Sequence, residues 1–207
     1  MTTKQHWQGV YETKASAEVS WHAAHLEESL QLIAEVTSAK DRIIDVGAGA
    51  STLVDDLIAA GYRDVTLLDV AEAALDVSRR RLGANAATVT WLAADVTEIE
   101  LEASRYELWH DRAVFHFLTD ASDRRAYVDR VRQSVTPGGY VVIGTFSSSG
   151  PAQCSGLDVV RYDAESLGRE FGRGFELTSS LHAVHLTPAG RAQNFIYCRF
   201  TKATQSP

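Results

Sequence analysis

The stretch Arg42–Thr52 reads RIIDVGAGAST and decides the fold. Its first part, RIIDV, is rich in apolar β-branched residues, which is typical of a buried strand. Gly47 and Gly49 follow, and because they lack a Cβ atom they allow a tight turn and a close approach of the backbone to a ligand. The residues from Ser51 to about Ala60 then favour a helix. A strand, a glycine turn and a helix in this order predict the first βα unit of an α/β sheet.

Apolar segments alternate with helical patterns along the rest of the chain, as they do in a parallel sheet with crossover helices. The chain therefore reads as five βα units closed by an antiparallel pair with a turn at residues 187–190. Further strands are predicted at Val65–Val70, Val89–Ala94, Tyr140–Phe146, Phe175–Leu186 and Gln193–Lys202, and Tyr106–Phe115 is predicted to contain the fourth strand and the turn after it. Helices are predicted at Ser20–Ser38, Ala71–Leu82, Asp120–Val135 and Asp163–Phe171. Pro137-Gly138-Gly139 is expected to form a break before the fifth strand.

The composition is that of an ordinary globular domain, with 45% hydrophobic and 23% charged residues among 207. The net charge of −7 and the lack of a Lys/Arg block disfavour nucleic acid as a partner. No segment approaches the ~18 uninterrupted apolar residues of a membrane span, and Met1–Gln8 has no signal-peptide pattern. We therefore expect a cytoplasmic protein without a membrane partner, whose oligomeric state the sequence leaves open.

Cysteines and histidines do not form a recognisable metal pattern. Cys154 and Cys198 lie far apart and make no CxxC pair, so neither a disulfide framework nor a zinc site is indicated. His182 and His185 alternate along a strand without a third ligand at metal spacing, and we predict no metal. Cys154 follows the fifth strand in a polar loop, where it either borders a substrate site or is buried and inert.

Three aspartates stand at the ends of consecutive predicted strands, namely Asp45, Asp69 and Asp95. Open α/β sheets bind their ligands in the crevice at these strand ends. Asp45 would repel a pyrophosphate but suits a ligand with an ammonium and a sulfonium group, such as S-adenosylmethionine. Asp69 can accept hydrogen bonds from ribose hydroxyls, and Asp95 with the amide of Val96 can hold an adenine edge. The alternatives are an ordinary tight βα turn at the glycines and helix-capping roles for Asp69 and Asp95.

From Trp7 to Phe200 the chain resembles the class I methyltransferase family. The matching motifs are DVGAGAS at 45–51, LLDV at 67–70, AADV at 93–96 and TPGGYVVIGTF at 136–146. The resemblance implies a Rossmann-like three-layer α/β sandwich with a seven-stranded sheet of order 3-2-1-4-5-7-6, mostly parallel, in which strand 7 is antiparallel. It implies a single methyltransferase domain over 1–207, with an N-terminal helical cap at 1–40 over the cofactor site, a core at 41–202 and a tail at 203–207.

The resemblance also implies that S-adenosylmethionine is the cofactor. Asp45, Gly47 and Gly49 are then expected to hold its methionine end, Asp69 its ribose and Asp95 its adenine. Aromatic side chains of the cap are expected either to close over the cofactor or only to anchor the first helix; these are Trp7, Tyr11 and Trp21, with His22 beside them. The complete predicted cofactor-binding set is Asp45, Gly47, Ala48, Gly49, Ser51, Thr52, Asp69, Val70, Asp95, Val96, Asp111 and Trp21.

The tip of the fourth strand, WHDRA at 109–113, bears on the methyl acceptor. It lacks the Asn-Pro-Pro-Tyr turn of many amine-methylating enzymes and looks like the corresponding segment of thiopurine and thiol methyltransferases, with one additional histidine. We therefore predict a small-molecule acceptor with a thiol or sulfide sulfur. Asp111, Arg112 and His116 are the candidate catalytic residues, for polarising the substrate, favouring an anionic nucleophile and acting as a base. The alternatives are a structural Asp–Arg pair and a histidine that is only hydrogen-bonded.

Two other functional classes remain open. The segment from His6 to Ile33 resembles the start of protein-lysine methyltransferases, which makes a protein amine the alternative acceptor. A non-catalytic cofactor-binding subunit is the third possibility. The aspartates present at all three strand ends argue against a decayed site.

Overall fold

Residues 3–13 and 18–204 are described by the computed structural model. Residues 1, 2, 14–17 and 205–207, which belong to the predicted cap and tail, lie outside this part. The strands are Ile43–Val46 (β1), Val65–Asp69 (β2), Val89–Ala93 (β3), Tyr106–Arg112 (β4), Val135–Phe146 (β5), Gln153–Cys154 (β6), Leu157–Asp158 (β7), Phe175–Leu186 (β8) and Ala192–Lys202 (β9). The α-helices are Thr3–Thr13 (α1), Glu27–Ala34 (α2), Leu53–Ala59 (α3), Glu72–Leu82 (α4), Ala121–Ser134 (α5) and Ala164–Phe171 (α6).

The main sheet has seven strands in the order β3-β2-β1-β4-β5-β9-β8. Strands β1 to β5 pair in parallel, and β9 is antiparallel to both β5 and β8. The predicted order is thereby confirmed, because the two-residue strands β6 and β7 form a separate hairpin. The strand order reverses between β1 and β4, and this is the place where open α/β sheets form a ligand crevice.

The sheet separates two apolar layers because successive side chains of a strand point to opposite faces. Ile43 packs in the layer formed with helices α2, α3 and α4, whereas Ile44 packs in the layer formed with α5 and α6. All four residues of β1 are buried, as expected for a central strand covered on both sides. This is the predicted three-layer sandwich.

Two local predictions need correction, and one element was not predicted. The helix predicted over Ser20–Ser38 extends only over α2, and Trp21 lies in a turn where its ring reaches Tyr11. Pro137-Gly138-Gly139 does not form a break before the fifth strand. Val135 already pairs with Tyr106, and the glycine segment forms a bulge within β5. The hairpin of β6 and β7 was not predicted, since two-residue strands carry no periodic signal.

Candidate cofactor and acceptor site

A cleft of about 320 Å³, called here the larger cleft, opens at the carboxyl ends of β1 to β4. Each strand end contributes to its wall. The lining after the strands consists of Val46 and Gly47, Asp69 and Val70, Ala94 to Thr97, and Arg112 to Val114. Trp7 and Tyr11 of α1 and Trp21 of the following segment line it from the other side. The predicted crevice is therefore also lined by helix α1, which packs against α4.

The glycine turn requires its glycines. Gly47 has φ +67°, and a Cβ atom there would overlap Cγ2 of Val114 at the tip of β4. Gly49 has φ +47°, and a Cβ atom would lie 2.7 Å from the hydroxyl of Tyr11. L side chains rarely adopt such backbone conformations. The turn thus brings the backbone against both β4 and α1, which a larger residue would prevent.

Two side chains of α4 hold the carbonyl oxygens of this turn. Ser78 Oγ donates to the carbonyl of Gly49 at 2.9 Å, and Arg81 Nη1 donates to that of Ala50 at 3.0 Å. Arg81 also forms an ion pair with Asp55 of α3. The sequence does not identify Ser78 and Arg81 as partners of this turn, because a polar residue inside a helical pattern gives no sign of which loop it contacts.

Asp45 is only 3% exposed and is part of a buried hydrogen-bonded series. Its Oδ1 lies 2.7 Å from Nδ1 of His110, whose Nε2 lies 2.9 Å from Oγ of Ser29. Its Oδ2 has no hydrogen-bond partner among the described residues. An unpaired buried carboxylate oxygen is costly, so this atom is suited to a cationic donor supplied by a ligand.

A second cavity of about 40 Å³, called here the small cavity, adjoins the larger cleft and contains Asp45. The two share Tyr11, Trp21, Gly47 and Arg112. Other residues that line the small cavity include His22, Ala48, Ser51 and His110. A ligand with an ammonium group at one end and a nucleoside at the other would fit the two connected spaces.

Asp69 and Asp95 line the larger cleft and also hold local turns. Oδ1 of Asp69 accepts from the amide of Ala71 at 2.8 Å, and burial raises the pKa of this carboxyl to about 6. Oδ1 of Asp95 accepts from the amide of Thr97 at 2.9 Å and from its hydroxyl at 2.7 Å. The backbone of Gly49 and Val70 also hydrogen-bonds to the carboxyl of Asp69. An ionised carboxylate has about four acceptor positions, so a turn-stabilising role and a ligand-binding role are compatible.

Several predicted residues do not line either cavity. Thr52 donates its hydroxyl to the carbonyl of Ala23 at 3.2 Å, and Gly49 lies beneath Tyr11. Asp111 is 0% exposed and accepts from the amides of Val114 and Phe115 and from the hydroxyl of Tyr127. This placement does not match the expectation that Asp111 contacts the cofactor or the acceptor; its carboxylate instead holds the turn after β4.

His116 is also fully buried and absent from both linings. Its Nδ1 accepts from the amide of Phe146 at 3.3 Å, and its ring packs against Phe117 and Phe146. Burial, with a smaller effect of Arg112, lowers the pKa of His116 to about 3. A neutral imidazole in this position does not match the expected base.

Arg112 is the predicted catalytic residue that reaches both cavities. Its Nη1 donates to the carbonyl of Trp21 at 3.0 Å and its Nε to the hydroxyl of Tyr197 at 3.0 Å. The guanidinium also lies 4.9 Å from the centre of the Phe195 ring. These contacts hold a cation at the junction of the larger cleft and the small cavity.

Aromatic side chains and one cysteine form much of the remaining wall. Trp7 packs edge-on against Trp21 and Phe117, with ring centres 5.5 and 5.0 Å apart. Cys154, in the unpredicted hairpin, lines the larger cleft, and burial raises the pKa of its thiol to about 11. Cys154 therefore borders the cleft and stays a thiol at neutral pH.

Residues 3–13 and 18–204 lack a membrane-spanning helix and a cluster of metal ligands. None of the helices there is long and apolar enough to cross a membrane. In the same residues, no group of three or more His, Cys, Asp or Glu side chains is arranged to hold a metal ion.

Residues 43–139 match the methyltransferase domain family. They span the strands β1 to β4, the glycine turn and the three aspartates. Residues 43–139 carry a methyltransferase domain, and the seven-stranded sheet has the class I methyltransferase fold. The cofactor of this family is S-adenosylmethionine, and the unpaired Oδ2 of Asp45 together with the carboxylates of Asp69 and Asp95 fits its ammonium and nucleoside groups.

Relatives and solved structures agree with this domain. The chain is 21% identical over 119 residues to the mouse eEF1A lysine and N-terminal methyltransferase, a match covering 57% of this chain and 17% of that protein. The bovine protein of the same name is 21% identical over 132 residues, covering 63% of this chain and 19% of its own. The chain thus spans less than a fifth of the length of these curated relatives.

Among solved structures, one described as the conversion of a disulfide bond into a thioacetal group during echinomycin biosynthesis has a TM-score of 0.80 and 18% identity. The match covers 99% of this chain and 94% of that one. The N-methyltransferase NodS from Bradyrhizobium japonicum, in complex with S-adenosylhomocysteine, has a TM-score of 0.70 and 17% identity, with 95% and 98% covered. At this identity the likeness establishes the shared methyltransferase fold.

Proposed function

We propose that this protein is an S-adenosylmethionine-dependent methyltransferase that acts on a small molecule, with a thiol or sulfide sulfur as the acceptor. The observation that carries the proposal is that three strand-end aspartates line two adjoining spaces, Asp69 and Asp95 the larger cleft and Asp45 the small cavity. Oδ2 of Asp45 is buried there without a hydrogen-bond partner among the described residues. A buried carboxylate oxygen without a partner is best accounted for by a cationic ligand group.

The roles of the residues follow from their positions. Asp45 would accept from the ammonium group, and Ala48 and Ser51 line the small cavity around it. Asp69 would accept from ribose hydroxyls, and Asp95 would hold the exocyclic amine of adenine. Other residues proposed to contact the cofactor are Gly47, Val70, Val96 and Trp21. When bound, S-adenosylmethionine supplies an electrophilic methyl group on a sulfonium centre.

The acceptor is inferred from the groups beside Arg112. None of the described residues that line the larger cleft is a histidine, and burial raises the pKa of the Tyr11 hydroxyl well above its ordinary value. An alcohol acceptor would need a positioned base, whereas a thiol with an ordinary pKa near ~8.5 supplies its own anion. Arg112 would attract this anion, and the rings of Trp7, Trp21 and Phe117 would exclude water.

The structure described for the conversion of a disulfide into a thioacetal supports sulfur as the acceptor, because it shares the fold over nearly the whole chain. A protein lysine is the second candidate. The curated relatives named for eEF1A lysine methylation favour it, and so do the carboxylates of Asp120 and Asp123, which line the larger cleft and would attract an ammonium group. The covering of the cleft by α1 favours the small molecule.

The test is a methyl-transfer assay with labelled S-adenosylmethionine and a panel of small thiols, sulfide, phenols, amines and lysine peptides. Transfer to thiols that is lost in Arg112→Ala but kept in Arg173→Ala supports the proposal; Arg173 is an exposed arginine beside the amino end of β8, away from the cleft. Transfer to lysine peptides alone selects the second candidate. Cofactor binding without transfer to any acceptor would indicate a non-catalytic subunit.

A further inference from the structure

A buried series of hydrogen bonds joins α2, β4 and β1 beneath the small cavity. Asp45 and His110 are register partners on adjacent parallel strands, so their side chains lie on the same face of the sheet. Ser29 of α2 packs onto that face and continues the series, and its hydroxyl also hydrogen-bonds to the hydroxyl of Tyr197. Ser29, His110 and Asp45 are 0%, 1% and 3% exposed. No role for His110 or Ser29 follows from the sequence motifs.

The chemistry of the three groups determines the direction of the bonds. An ionised carboxylate can only accept, so the 2.7 Å contact requires the hydrogen on Nδ1 of His110. In a neutral ring Nε2 is then an acceptor, and the hydroxyl of Ser29 donates to it. The carboxylate of Asp45 is thereby held through Oδ1, and Oδ2 is left as an acceptor with no partner in the described part of the chain.

This polar series is unfavourable for folding alone. The neighbouring residues of β4, Leu108 and Trp109, are apolar and fully buried, and apolar residues at both positions 45 and 110 would fill this layer equally well. Burying a carboxylate with one oxygen unpaired is destabilising unless a further partner arrives. The series is therefore better explained by what it presents to the small cavity, which both Asp45 and His110 line.

We propose that His110 is a positioning residue that holds Asp45 to receive the ammonium group of the cofactor's amino-acid end, with Ser29 selecting the tautomer of His110. This inference rests on the proposed function, since it takes S-adenosylmethionine and its demethylated product as the ligands. In this proposal the small cavity would bind the amino-acid end of the cofactor, and the larger cleft would bind its nucleoside.

Two ligands distinguish positioning from a general structural role. S-adenosylhomocysteine carries the amino-acid end, and 5′-methylthioadenosine has the same nucleoside and thioether without it. In calorimetry we expect His110→Phe to weaken S-adenosylhomocysteine binding by about tenfold or more, the loss of roughly one charge-assisted hydrogen bond, and to leave 5′-methylthioadenosine unchanged. His110→Asn, whose amide nitrogen can replace Nδ1 as the donor to Asp45, should restore most of the affinity.

Ser29→Ala tests the second bond, with Ser134→Ala as the matched control. Ser134 is an equally buried serine whose hydroxyl bonds to the carbonyl of Arg130 at the far end of α5. We expect Ser29→Ala to weaken S-adenosylhomocysteine binding alone and Ser134→Ala to change neither ligand. If His110→Phe does not fold, Ser29→Ala and Ser134→Ala still test the proposal.

The outcomes are separable. If the unchanged protein binds neither ligand, the proposed function fails. If it binds both and His110→Phe or Ser29→Ala weakens both equally, or neither, the positioning role of His110 is overturned while the proposed function stands. Failure of His110→Asn to recover any affinity would likewise contradict the assigned donor at Nδ1.

Discussion

Asp69 offers the sharpest test of the cofactor site, because substitution by asparagine should change affinity and stability in opposite directions. In Asp69→Asn the amide oxygen can still accept from Ala71, which keeps the turn after β2. The second carboxylate oxygen becomes an NH₂ group that can no longer accept from a ribose hydroxyl. Hydrogen bonds to a charged acceptor contribute about 1.5–3 kcal/mol, so the dissociation constant should rise roughly 10- to 150-fold.

The stability of the free protein should increase at the same time. Burial raises the pKa of Asp69 from 3.8 to about 6, so the folded state holds the proton more tightly than the unfolded state. The favourable contribution of the protonated Asp69 to the free energy of unfolding is complete below pH 3.8 and is lost as the pH rises through 6. At pH 8 the ionised group is therefore unfavourable by up to about 3 kcal/mol, and Asp69→Asn should recover part of this.

Calorimetry with S-adenosylhomocysteine between pH 5 and pH 8, together with thermal unfolding, measures both effects. Affinity of the unchanged protein should fall about tenfold per pH unit below pH 6, because protonation removes the acceptor, whereas Asp69→Asn should show a flat profile. Asp129→Asn, at an exposed site on α5, is the control for loss of one charge. Equal affinity of Asp69→Asn and the unchanged protein at pH 8 would refute the ribose assignment.

Three further outcomes are expected. Gly47→Ala should lower the free energy of unfolding by about 1–3 kcal/mol in urea titration, because Gly47 has a positive φ and a Cβ atom there would overlap Val114. As a control, Gly168→Ala within α6 should raise it by roughly 0.5–1 kcal/mol. His116→Leu should leave the shape of the pH–rate profile unchanged, since a histidine with a pKa of about 3 is neutral throughout the assay range. If the substitution removed an inflection near neutral pH, His116 would be the catalytic base after all. Arg112→Ala should lower kcat more than cofactor affinity, and with a thiol acceptor the rate should rise with pH and then level off; equal losses would place Arg112 in cofactor binding alone.

Much of the fold could be predicted from the sequence because its signals are local. Apolar β-branched runs, each followed by an aspartate or a glycine, locate β1, β2 and β3 within a residue or two of their ends. Parallel strands place these ends at one edge of the sheet. The sequence therefore predicts that Asp45, Asp69 and Asp95 meet in one crevice, and each of them lines the larger cleft or the small cavity beside it.

The catalytic candidates on β4 show where the sequence was insufficient. Residues 110, 111 and 112 point to alternate faces of the sheet, and the sequence does not say which face carries the site. His110 and Arg112 lie on the face of α2 with Asp45, whereas Asp111 lies on the opposite face, where it accepts from Tyr127 of α5. Strand register, which the sequence does not give, places His110 and not Asp111 on the same face as Asp45.

The sequence by itself determined the order of the elements and the chemistry of the strand ends, because both depend on residues within a few positions of one another. Tertiary structure decided which polar groups meet. Ser29 and His110 are 81 residues apart, and Arg112 and Tyr197 are 85 apart. Packing of α2 on the sheet and pairing of β9 with β5 bring these pairs within hydrogen-bond distance. Such long-range contacts depend on the whole core, so no local pattern along the chain records them.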